Sequence, residues 1–105
     1  MDRKWIKEVK IEPRGENGGK NITLYVEPPE NANYKTPTYS SLVEMAEAVF
    51  RDAMKCGAEG FVLTNADVMA WSDRHHHSLY TAHSYRVTAD FVPFDKVNAN
   101  PGDYD

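Results

Sequence analysis

The chain has a single cysteine, Cys56, so no internal disulfide can form and a small disulfide-stapled scaffold is excluded. No apolar run approaches the ~20 residues that a membrane-spanning helix requires. Glycine and proline, six of each in 105 residues, are too few for a collagen-like or low-complexity chain. Charge of one sign is also scarce: twelve Lys and Arg against sixteen Asp and Glu give −4. Residues 1–20 hold six basic and four acidic side chains, a local +2, and residues 90–105 hold one basic and four acidic, or −3. Neither end is a polybasic arm or an acidic tract. Nucleic-acid binders draw much of their affinity from a basic face, so nucleic acid is disfavoured as a partner. The opening residues Met1-Asp2-Arg3-Lys4-Trp5 carry no apolar signal region, so the expectation is a cytoplasmic protein without membrane attachment.

What is present is the composition of an ordinary globular domain, 41% hydrophobic and 27% charged. The length suits one domain, expected over residues 1–94, followed by a flexible tail over 95–105 that has little to bury. Trp5, Val9 and Ile11 alternate with Glu8 and Lys10, the period of a half-buried strand. The segment Pro13 to Gly19 is turn chemistry, and Ile22, Leu24 and Val26 then alternate with Thr23, Tyr25 and Glu27. These runs predict a β-hairpin that Pro28-Pro29 closes.

The strongest local signal is helical. Leu42, Met45, Ala46, Val49, Phe50, Ala53 and Met54 form one apolar stripe, Ser41 and Glu44 read as a capping box, and Gly57 supplies a left-handed end. This predicts a helix over 42–56. Phe61 to Trp71 then reads as a strand with a bulge at the Asn65-Ala66-Asp67 interruption, or as two short strands. Residues 79–94 form a second extended run. Like-with-like parity places Phe61, Leu63, Met69 and Trp71 on one face with Leu79, Val87, Ala89 and Phe91. The predicted fold is therefore α+β, a ββαββ two-layer sandwich with one antiparallel sheet and one amphipathic helix on one face. One helix cannot cover four strands, and the uncovered face is expected to carry Tyr25, Val62, Val68, Tyr80 and Arg86.

No catalytic constellation stands out. Cys56 follows the helix C-terminus, where the dipole disfavours a thiolate, and no serine has a nucleophile-elbow context. The unusual cluster is His75-His76-His77 with Asp73 before it and His83 after it. His75, His77 and His83 share parity on an extended segment and are the candidate metal ligands, since imidazole suits zinc, nickel or copper. The competing readings are a solvated turn and a partner-contacting loop. Tyr25, Tyr34, Tyr39 and Tyr80 fall at loop or outward positions, and tyrosine contributes large contact area with few rotatable bonds.

The helix-to-strand passage Ala53-Met54-Lys55-Cys56-Gly57 followed by Phe61-Val62-Leu63 resembles an element of small phage-encoded inhibitors of the anti-CRISPR type. That resemblance implies a stoichiometric protein-binding inhibitor with no active site. The segment Cys56-Gly57-Ala58-Glu59-Gly60-Phe61-Val62 is also similar to the glycine-turn step of a family of small bacterial domains described as heavy-metal-binding, with Glu59 in place of that family's Asn. That second likeness implies an oligomer. The expectation is a small, acidic, non-enzymatic module without a cofactor that covers a surface of a protein partner through Tyr34, Tyr39, His75, His76, His77 and Tyr80. The alternatives are a metal-binding or metal-responsive domain using His75, His77 and His83, and a homo-oligomeric structural protein, with the uncovered sheet face as the dimer contact.

Overall fold

The computed structural model describes residues 3–29, 37–55, 60–71 and 84–98. A short 3-10 turn, Arg3–Trp5, leads into β1 (Ile6–Pro13) and β2 (Lys20–Val26). Helix α1 (Tyr39–Met54) follows, then β3 (Phe61–Trp71), β4 (Ser84–Pro93) and the short helix α2 (Phe94–Asn98). The four strands form one antiparallel sheet in the order β1-β2-β4-β3, with α1 packed on one face. The expected ββαββ two-layer architecture is what the chain adopts. Helix α2 occupies the start of the stretch read from sequence as a tail.

The second strand of each hairpin is central, and the central strands alternate most strictly. Ile22, Leu24 and Val26 of β2, and Tyr85, Val87, Ala89 and Phe91 of β4, are all buried beneath Leu42, Met45, Ala46 and Phe50 of α1. Phe50 anchors the layers: it lies flat on Phe91, with ring centroids 3.9 Å apart, and meets Phe61 edge-on at 5.2 Å. The edge strands add partly buried groups, among them Ile6 and Ile11 of β1 and Ala66, Val68 and Ala70 of β3. The β1–β2 loop closes through Arg14 N–H donating to Gly19 O, with Gly15 and Gly18 at φ of 78° and 82°, which a side chain would resist.

The helix differs from its prediction at both ends. It begins a turn earlier, because Thr38 is the N-cap: its hydroxyl accepts from Ser41 N–H, and the Ser41 hydroxyl accepts from Thr38 N–H. Ser41 is thus the third residue of the helix rather than its cap. Lys55, at φ 54° and ψ 46°, takes the left-handed end assigned from sequence to Gly57, which lies outside the described residues. Its amide donates to Arg51 O and Asp52 O, closing the last turn. The apolar stripe is otherwise as expected, except that Ala53 is exposed.

The bulge in β3 overturns part of the expected register. Leu63 pairs with Phe91, but the next regular pair is Asn65 with Asp90, so Thr64 is the extra residue. Side-chain parity inverts there. Phe61 and Leu63 lie on the helix side as expected, whereas beyond the bulge Ala66, Val68 and Ala70 take that side opposite Ala89, Val87 and Tyr85. Met69, expected in the core, is 48% exposed opposite Arg86. Val68, expected on the bare face, packs against the core.

Candidate functional site

Residues directly opposite one another in an antiparallel sheet project to the same side. The registers therefore align three transverse rows on the face that α1 does not cover. One row is Glu8, Tyr25, Arg86 and Met69; the next is Lys10, Thr23, Thr88 and Asp67; the third is Glu12, Asn21, Asp90 and Asn65. Each row takes one residue from each strand.

The third row is internally satisfied. Asn21 donates to the Asp90 carboxylate at 2.7 Å and its amide oxygen accepts from the Thr23 hydroxyl at 3.1 Å, while Arg14 pairs with Asp90 at 3.3 Å. The first row is different. Arg86 is half-buried between Tyr25 and Met69, and its guanidinium makes a long, weak contact to the Met69 sulfur at 3.6 Å. Among the described residues no carboxylate pairs with it, although ion pairs form at Arg3–Asp52, Lys10–Glu8, Arg14–Asp90 and Arg51–Glu47. A guanidinium offers five donors in a planar fork and suits a carboxylate or phosphate approached from the front. Beside this row lies an open depression of ≈ 190 Å³ lined by Lys7, Tyr25, Val26, Glu27, Ser84 and Tyr85. Burial raises the Tyr85 phenol above its ordinary pKa and keeps it neutral.

Of the residues assigned from sequence to partner contact or metal binding, Tyr39 is described. It is half-exposed at the start of α1, in the helical layer, and its hydroxyl donates to Ala66 O of β3 at 2.9 Å. That bond gives it a structural task. Tyr34, His75, His76, His77, Tyr80 and His83 lie outside the described residues, as does Cys56. Among the described residues no group of three or more His, Cys, Asp or Glu converges as metal ligands would.

Tyr25 and Arg86 read as outward from alternation alone, and Tyr25 as one of the exposed tyrosines, but nothing local in the sequence set Arg86 apart from a solvated surface. Met69 was missed because its outward position depends on the extra residue at Thr64.

No protein-family model matches the chain, no curated protein is significantly similar to it, and no solved structure matches it. No described helix is long and apolar enough to cross a membrane.

Proposed function

We propose that this domain is a non-enzymatic protein-binding module that covers a surface of a protein partner, in the manner of a stoichiometric inhibitor, and that the bare face of its sheet makes the contact. The observation that carries this reading is Arg86: a half-buried guanidinium, without a carboxylate partner among the described residues, framed by Tyr25 and the exposed Met69. Tyrosine and arginine are enriched among residues that dominate binding energy, and methionine adapts to irregular partner surfaces. The matching feature on the partner is an Asp or Glu carboxylate inside an apolar rim, so that the ion pair is shielded when the surfaces close.

The test is affinity capture from lysate of the source organism, with and without a chelator, followed by affinity measurement on the purified pair. Arg86→Gln keeps most of the side chain's bulk, removes its charge and lowers partner affinity about 30-fold or more, the scale of a hot-spot loss of ~2 kcal/mol. Glu16→Lys, in the exposed β1–β2 loop, leaves affinity unchanged. Equal affinity for wild type and Arg86→Gln refutes the Arg86 contact. A partner lost on chelation transfers the role to the histidine segment and its metal.

A further inference from the structure

The two open edges of the sheet are finished differently, and the difference points to a second binding surface. At β3 the edge is laced to the rest of the molecule by side chains. The Tyr39 hydroxyl donates to Ala66 O at 2.9 Å, the Arg51 guanidinium donates to Phe61 O at 3.1 Å, and the Asp67 carboxylate accepts the Val68 amide at 2.9 Å. Groups held in this way are not available to another strand.

Among the described residues no side-chain hydrogen bond reaches the backbone of β1, and β2 is its one neighbour in the sheet. Helix α1 leaves β1 largely uncovered, so Val9 is 43% exposed although it shares the helix-side face with buried Leu24. An edge strand with unused amides and an exposed branched apolar side chain is a template for strand addition. What decides the partner is the charge pattern, with Glu8 and Lys10 flanking Val9 on the bare face.

We propose that β1 pairs antiparallel with β1 of a second copy of this chain, centred on Val9, and joins two sheets into one of eight strands. In that register Glu8 of each copy lies directly opposite Lys10 of the other, and the two Val9 side chains meet on the helix side. The Glu8–Lys10 contact that each copy holds within its own strand, at 3.9 Å, is exchanged one for one, two contacts within strands for two between directly opposed residues. Centring the pair on Lys10 instead sets Lys10 against itself and Glu8 against Glu12, and centring it on Glu8 sets Glu8 against itself. Like charges directly opposite disfavour both registers. Centring on Ile11 brings Pro13, which has no N–H, into the ladder opposite Val9. The charges that discourage foreign strands thus admit this strand in one register.

Sedimentation of the full chain over a concentration series tests the proposal. Wild type reaches twice the chain mass of 11.9 kDa. Glu8→Lys alone and Lys10→Glu alone remain monomers, because each sets like charges opposite one another. The double variant Glu8→Lys/Lys10→Glu, which swaps the pair, dimerises again, and so does an equimolar mixture of the two single variants. Glu12→Lys, which faces no charge in this register, dimerises like wild type. Far-UV circular dichroism identical to wild type shows that loss of the dimer is not loss of the fold. A wild-type monomer at every concentration overturns the proposal; so does a dimer indifferent to both single variants, or one that the double variant and the mixture fail to restore. The dimer edge does not require Arg86, which lies on central strand β4: Arg86→Gln keeps the dimer.

Discussion

Phe50 and Tyr85 show how single residues set the stability of this domain. Phe50 is fully buried, stacked on Phe91 and edge-on to Phe61, so it links α1 to both strands of the second hairpin. Phe50→Ala removes that link and leaves a cavity, and chemical denaturation should report a loss of about 3–5 kcal/mol. Tyr85 is 2% exposed, and burial raises its phenol pKa above the ordinary value near 10. The folded state therefore holds the phenol proton more tightly than the unfolded chain does. Its contribution is fully present below the unfolded pKa of about 10 and is lost as pH rises through the folded value. Wild-type stability falls across that alkaline window, and Tyr85→Phe falls less when both are titrated in parallel. Equal slopes would place Tyr85 in contact with water.

At the scale of elements, α1 is a strap as well as a cover. Tyr39, in its first turn, and Arg51, in its last, each donate to a carbonyl of β3. Tyr39→Phe deletes one of these bonds while keeping the ring, and equilibrium unfolding should show a loss of about 0.5–1.5 kcal/mol. No change would mean that water replaces the bond at no cost. Lys55 holds a left-handed conformation that glycine adopts without strain, so Lys55→Gly should stabilise the domain by about 1 kcal/mol, readable as a raised melting temperature.

The elements also show what local sequence can and cannot convey. Alternation in β2 and β4 and the stripe of α1 identified the core, because those segments are regular and their burial follows their period. The faces of Met69 and Val68 were assigned the wrong way round. The interruption at Asn65-Ala66-Asp67 announced a bulge, but the residue at which parity inverts is fixed by pairing with β4, twenty-odd positions away. The helix start differs because Ser41 suits a cap from either side: Thr38-to-Ser41 and Ser41-to-Glu44 have the same spacing, and the bond from Tyr39 to Ala66 O that ties down the earlier turn is not local in sequence. Tyr25 and Arg86 were legible as outward-facing, while their alignment with Met69 required the registers of two strand pairs.

At the scale of the whole molecule, one long helix against four strands leaves a face of the sheet without a second layer among the described residues. That face is graded, with a self-satisfied polar row around Asp90 and a row around Arg86 in which charge and apolar surface are left for something else. The central claim is that a protein partner lies on this face and not on the helix. Site-specific photo-crosslinking tests it directly, with a photoreactive amino acid in place of Asn65 on the bare face or of Glu44 on the exposed side of α1. Both positions are exposed, and they lie in opposite layers. The account predicts that the captured partner is crosslinked from position 65 in clear excess over position 44. Equal yields, or an excess from position 44, would contradict it.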